Sequence, residues 1–187
     1  MPLPIANATL PRTGKLSYLY PRTATHRHRG IDLPAPAGTP VRATAPGKVV
    51  HAVREWRQGF TGYGRVVVLE HGDGLVYTLH AHLQDVRVNV GDYVNAGDVI
   101  GTVGNTQFTK EGGYTDSSGD PHLHFEVSAT PYPQDSEAPR LDPVRWLEGV
   151  DAGGELHAGA SITTGARGAA LFAFALGALV FVLKKQR

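Results

Sequence analysis

His122-Leu123-His124-Phe125-Glu126-Val127, entered through Pro121, alternates polar and apolar side chains. That alternation is the period of a β-strand with one buried face, and it puts His122, His124 and Glu126 on the same side. Far upstream stands a second group, His28-Arg29-Gly30-Ile31-Asp32. His28 and Asp32 share a side whether the segment is extended or helical, and Gly30, Pro34, Pro36 and Pro40 make helix the poorer choice. The two stretches offer two or three imidazoles and one carboxylate. Three protein ligands with one position left for water is the donor set of a catalytic zinc site.

Around these stretches the chain reads as many short strands. Lys48 to Val53 follows a Pro46-Gly47 turn, and Trp56 to Gly64 is a Gly-containing loop. Arg65 to Glu70 carries three consecutive valines, as a strand buried on both faces would. His71-Gly72-Asp73-Gly74 is a hairpin turn, and Leu75 to Leu83 returns antiparallel with His80 and His82 on one face. Val86 to Val90, Tyr93-Val94 and Val99 to Val103 are further strands joined by Gly-Asp turns. Asn105 to Asp120 is a long polar loop running into His122, placed to form a cleft wall. Pro143 to Leu147 is predicted as one helical turn. The 23 glycines and 13 prolines fit an all-β domain.

Composition narrows the function. The 187 residues suffice for one domain with a real core and a modest appendage. A net charge of +1 gives no field of one sign, so no nucleic-acid partner is expected. With no cysteine, a disulfide framework and a Cys-ligated zinc are excluded, and any metal rests on His and carboxylates. The N-terminus has no apolar segment of secretory type. Ala169 to Leu183 is an uninterrupted apolar run between Arg167 and Lys184-Lys185-Gln186-Arg187, after a Gly/Ala-rich linker. It is predicted as a C-terminal hydrophobic helix that anchors in or spans a membrane, its basic end cytoplasmic. The expected organisation is an N-terminal extension (1–19), a catalytic domain (20–148), a linker (149–168) and a transmembrane helix with basic tail (169–187).

His28-x-x-x-Asp32, His82 in Leu79-His80-Ala81-His82-Leu83, and His122-x-His124 together resemble the lysostaphin/LytM-type zinc metallo-endopeptidases that cut peptidoglycan cross-links. Gly30-Ile31-Asp32-Leu33-Pro34, Val90-Gly91-Asp92-Tyr93-Val94 and Gly97-Asp98-Val99-Ile100-Gly101 resemble the connecting text of that family, over roughly residues 20 to 147. The resemblance implies a folded antiparallel sheet of duplicated hybrid-motif type. It implies Zn2+ held by His28, Asp32 and His124, with His82 and His122 as catalytic residues. Those two would orient and deprotonate the attacking water and stabilise the oxyanion. The implied substrate is peptidoglycan. The implied setting is the wall side of the cell envelope, or a membrane-containing phage particle. The family usually places a tyrosine near the metal, for which Tyr18 and Tyr20 are candidates. His80 stands where Tyr is common, and surface or supporting placement is expected; His26, His51, His71 and His157 are read as surface residues.

Three rival readings compete. A wall-binding or hydrolase-activating module would lack metal ligands, and this chain has the full set. Val88 to Asp98 also resembles lipoyl or biotinyl domains and enzyme IIA phosphocarriers. The former need a Lys at a hairpin tip, absent from this stretch, and the latter do not need Asp32 or His122-x-His124. A membrane-anchored structural component of an envelope or virion is compatible with the enzyme reading.

Overall fold

The structure is a computed structural model that describes residues 1–23, 27–116, 119–132, 140–149, 162–164 and 170–172. The His122–Ser128 strand (β11) is the seam of the molecule. It pairs antiparallel with Ile31–Pro34 (β1) on one side and Val76–Ala81 (β5) on the other. Val66–His71 (β4), Gly47–Val53 (β3) and Tyr93–Val94 (β7) complete a six-stranded antiparallel sheet in the order β1-β11-β5-β4-β3-β7. A second sheet orders Pro40–Arg42 (β2), Val99–Val103 (β8) and Leu83–Val86 (β6).

Register decides which side chains share a face. Cross-strand partners Asp32 and His124 lie together, as do Ile31 and Phe125 on the opposite face. The face carrying Ile31, Leu33, Leu123 and Phe125 packs with Val41, Leu83, Ile100 and Val103 of the smaller sheet in the main core. The other face builds a second cluster from Val66, Val68, Leu79, Ala81, Phe60 and Phe108. Val66, Val67 and Val68 are all fully buried because their strand is covered on both sides, as the valine run predicts. Burying each such side chain contributes about 1.5–3 kcal/mol.

The segment ahead of β1 runs against this sheet. Ile5 is buried in the main core, the Asp32 amide donates to the carbonyl of Leu16 at 2.9 Å, and Tyr18 Oη donates to that of Arg140 at 2.6 Å. Within the Asn105–Asp120 stretch, Thr106–Phe108 (β9) and Tyr114–Asp116 (β10) form a hairpin, so part of the expected loop is ordered strand. The chain leaves its strand after Val86, and Val90 is exposed, so the expected Val86–Val90 strand is not formed. Pro143–Leu147 (α1) is the predicted helical turn, capped by Asp142, whose carboxylate accepts from the Val144 amide, with Pro143 at its first position.

The C-terminal apolar helix expected over 169–183 lies largely outside the described residues. Its three described members, Ala170–Phe172 (β13), pair antiparallel with Ile162–Thr164 (β12). Among the described residues no helix is long and apolar enough to cross a membrane.

Candidate metal centre and catalytic cleft

β1 and β11 carry the face on which three candidate metal donors meet. Asp32 sits opposite His124, and His28 reaches the same point from just before β1. Asp32 Oδ1 lies 3.0 Å from His28 Nε2 and 2.8 Å from His124 Nδ1, and the two nitrogens are 3.1 Å apart. All three side chains are buried, and among the described residues they are the group with metal-ligand proximity. Donors of a tetrahedral zinc with ~2.0–2.1 Å bonds stand roughly 3.3 Å apart. An opening of a few tenths of an ångström therefore seats the ion, and the hard–borderline donor set suits it.

Each ligand atom is selected by what holds the rest of its side chain. His28 Nδ1 donates to the carbonyl of Ser17 at 2.9 Å, which fixes the hydrogen there and leaves Nε2 for the metal. His124 is held the other way round: Nε2 donates to Glu126 Oε1 at 3.0 Å and Nδ1 faces Asp32. Asp32 offers Oδ1 inward while Arg22 donates to Oδ2 at 2.8 Å. Glu126 is buried and also accepts from Tyr63 Oη at 2.8 Å, Tyr132 Oη at 2.9 Å and Arg140 Nε at 2.6 Å. A carboxylate behind a metal-binding imidazole raises its basicity and locks its ring.

The electrostatics follow from these contacts. Burial works to raise the Asp32 carboxyl, but hydrogen bonds from His124 and His28 overcome it and hold the group well below the usual carboxylate range. Burial likewise opposes ionised Glu126, and His124 and Arg140 overcome it. Burial works to lower His124, yet Asp32 and Glu126 raise it to about 9, a preference for positive charge that a cation at Nδ1 would satisfy in place of a proton. Burial and the contact with Glu126 push the Tyr63 phenol up, so it stays a donor.

His82 and His122 stand beside this centre, with ring centroids 4.8 Å apart. His82 Nδ1 donates to the Thr106 carbonyl at 2.8 Å, and His122 Nδ1 donates to the Asp120 carbonyl at 2.8 Å. A carbonyl can only accept, so both rings carry hydrogen on Nδ1 and leave the Nε2 lone pair available. His122 Nε2 is 3.9 Å from Asp32 Oδ1. Burial, then the charges of His124 and His122, lower His82 to about 3, which keeps it neutral. Strand alternation alone would place His82 on the core face with His80. Instead β5 ends at Ala81, and His82 adopts φ +59°, which swings its ring to the site. Non-glycine residues in that region carry strain, and such strain clusters at functional sites.

The other predicted residues are distributed differently. His80 is fully buried against Phe125, on the face opposite the site, because it pairs with Phe125 and not with His124. His71 is also buried; its Nδ1 donates to the Pro46 carbonyl and its Nε2 accepts from Thr78 Oγ1. His51 is half-buried with Nε2 on the Tyr132 carbonyl. His26 and His157 lie outside the described residues. Neither Tyr18 nor Tyr20 lines the cleft; the tyrosine beside the metal position is Tyr63, whose ring centroid is 5.9 Å from that of His124. Its signal in the sequence is faint: Tyr63 lies between two glycines, and a Cβ on Gly64 would run into Thr106. These residues line an open cleft of about 430 Å³, with Gln107 of β9 and Thr61 on its wall.

Residues 26–136 match peptidase family M23, and the chain belongs to that family. It is 34% identical over 137 residues to lipoprotein YgeR of Escherichia coli (strain K12), covering 73% of this chain and 45% of that protein. The solved catalytic domain of the antimicrobial peptidase lysostaphin from Staphylococcus simulans superposes with TM-score 0.57 at 32% identity, covering 72% of this chain and 90% of that one. A zinc-containing peptidase from Vibrio cholerae aligns with TM-score 0.51 at 26% identity, over 73% of this chain and 40% of that one. The chain spans less than half the length of the curated relatives it matches first, 45% of YgeR and 24% of lysostaphin. The lysostaphin/LytM-type resemblance read from the motifs is therefore the family of the chain.

Proposed function

We propose that this protein is a zinc-dependent endopeptidase that hydrolyses amide bonds in the peptide cross-links of peptidoglycan. One observation carries the reading. The donors of His28, Asp32 and His124 converge within 4.8 Å of one another, and two further histidines at the same cleft have their Nδ1 atoms engaged by carbonyls and their Nε2 atoms left for chemistry. The phosphocarrier and wall-binding readings call for neither arrangement.

Zinc, when bound, polarises the scissile carbonyl and makes water acidic near neutral pH. The residues supply the rest. His82, neutral and fixed, accepts a hydrogen bond from the attacking water through Nε2 and orients it. His122, less enclosed, takes the proton at Nε2, and in that protonated form donates to the oxygen that gains charge on the former carbonyl. As the carbon–nitrogen bond breaks, that proton passes to the leaving amine, and the second proton of the water follows it, giving a carboxylate and an ammonium. Tyr63, locked on Glu126, closes the wall beside His124.

The setting is the cell envelope, with the catalytic domain on the wall side and the apolar run 169–183 as anchor. That one relative is a lipoprotein supports an envelope location. The test is metal content of the purified chain together with digestion of isolated peptidoglycan, with and without a chelator. One zinc per chain and chelator-sensitive release of new amino termini are expected. Zinc-loaded protein that releases none would refute the reading.

A further inference from the structure

The cleft carries an uneven charge. Arg22, Arg27 and Arg29 all lie on its lining, against two carboxylates, Asp32 and Glu126. Both carboxylates are already engaged. Asp32 lies between His28, His124 and Arg22, and Glu126 is saturated by His124, Arg140, Tyr63 and Tyr132. Among the described residues no Asp or Glu lies within ion-pair distance of Arg27 or Arg29. The contact of Arg27 is a long one, Nη1 to the Leu19 carbonyl at 3.4 Å. Thr61, Gly62 and Gln107, which also line the cleft, bear no charge.

A lone surface arginine is solvated and contributes little. These two differ because they flank a metal ligand on an anchored segment. The His28 amide donates to the Tyr20 carbonyl and the Leu19 amide to the His28 carbonyl, each at 2.8 Å. Arg27 and Arg29 are thereby held within one residue of the reaction centre. Arg29 is half-buried, close enough to Tyr63 for its charge to act on that phenol. Guanidinium groups recognise carboxylates through paired, charge-assisted hydrogen bonds, and a cleft lined by one sign concentrates its counter-charge.

We propose that Arg27 and Arg29 bind a carboxylate that the substrate carries beside its scissile amide, so that the cross-link cut is an anionic peptide and not an uncharged glycine-type bridge. This rests on the peptidase reading above and names its substrate class. The carboxylate has two chemical sources: the side-chain carboxylate of a diamino acid in the bridge, or the terminal carboxylate of the residue just past the cut.

The experiment uses the zinc-loaded full chain and three synthetic peptides with one common scissile amide. One has a free side-chain carboxylate, one a free terminal carboxylate, and one has both amidated; pentaglycine is the uncharged reference. A free carboxylate should raise kcat/KM about tenfold or more over the amidated peptide, chiefly through KM. Which peptide gains identifies the source. Arg27→Gln and Arg29→Gln should each collapse that ratio, Arg29→Lys should retain part of it, and added salt should shrink it. Equal cleavage of all three peptides, or preference for pentaglycine, would overturn the proposal while leaving the peptidase intact. Calorimetric titration of the same peptides separates the two readings. Carboxylate-dependent binding without cleavage would support the arginine rim and remove the hydrolytic reading. Neither binding preference nor cleavage would overturn both.

Discussion

Replacing Glu126 with Gln should weaken zinc binding and destabilise the fold together, although Glu126 touches no metal. The side chain is 1% exposed and accepts four hydrogen bonds, from His124 Nε2, Tyr63 Oη, Tyr132 Oη and Arg140 Nε. Glutamine fills the same volume, and its one carbonyl oxygen can still accept from His124. Its NH2 group cannot accept from Tyr132 or Arg140, so a buried guanidinium loses its carboxylate. Removing one member of a buried ion pair costs about 3–5 kcal/mol, because the charge left behind is uncompensated. For a domain of this size that is a fall in Tm of roughly 10 °C.

The metal term is separable. With the anion gone, His124 becomes less basic, and loss of such a partner typically costs about 10–100-fold in metal affinity. The assay is chelator competition at neutral pH and a temperature where both proteins are folded, with the melt of the metal-free form measured beside it. Glu126→Asp is the control, since it keeps charge while shortening reach, and it should retain more affinity than Gln. If Glu126→Gln held zinc as tightly as the parent and melted within a degree of it, the supporting role assigned to this carboxylate would be wrong.

Three further outcomes are expected. Asp32→Ala and His124→Ala should abolish zinc binding and hydrolysis, whereas His122→Ala should keep one zinc and lose about 10²–10⁴ in kcat; loss of zinc in His122→Ala, read by elemental analysis, would reverse the division between ligands and catalytic residues. His80, lowered to about 3 by burial, is neutral in the fold and titrates near 6.5 when unfolded, so its contribution to stability is full above pH 6.5 and is lost as pH falls toward 3. Urea melts of chelated protein should show that slope diminished by several kcal/mol over this window in His80→Phe, and an unchanged slope would contradict it. Gly30→Ala should cost at least 1–3 kcal/mol (about the range for overpacking), since a Cβ there would run into the Phe125 carbonyl and press on the His124 ring; a melt matching the parent would refute the close packing of β1 on β11.

The shared face of the candidate donors was legible because it obeys strand periodicity. His122, His124 and Glu126 sit on one face of β11 as alternation requires, and Asp32 joins them through register with His124. The burial of Val66 to Val68 was legible from the opposite signal, a valine run without alternation. What escaped the pattern is set by long-range backbone contacts that no local spacing encodes. Alternation put His80 and His82 on one face, but the strand ends between them and His82 turns at positive φ, so one enters the core and the other the site. His71, read as a surface residue, is buried because the Pro46 carbonyl and Thr78 satisfy both ring nitrogens, which makes burial of a neutral imidazole affordable.

The unread part of the candidate site shares one physical character: it fixes which nitrogen of each histidine is left available. Ser17, Thr106 and Asp120 do this with backbone carbonyls, and a carbonyl leaves no trace in residue identity. Motif spacing therefore names the four histidines without saying which atom of each acts. Tautomer follows from fold, because only the folded chain brings a Ser17 carbonyl to His28 or a Thr106 carbonyl to His82. His124 is the exception, since Glu126 lies two residues away on the same strand and is visible in the motif itself. Three of the four orienting contacts are thus carried by main chain outside the motif. A side-chain substitution at exposed Asp120 should be tolerated far better than a change in its backbone path, and the N-terminal segment bearing Ser17 supports the candidate metal centre as Glu126 does.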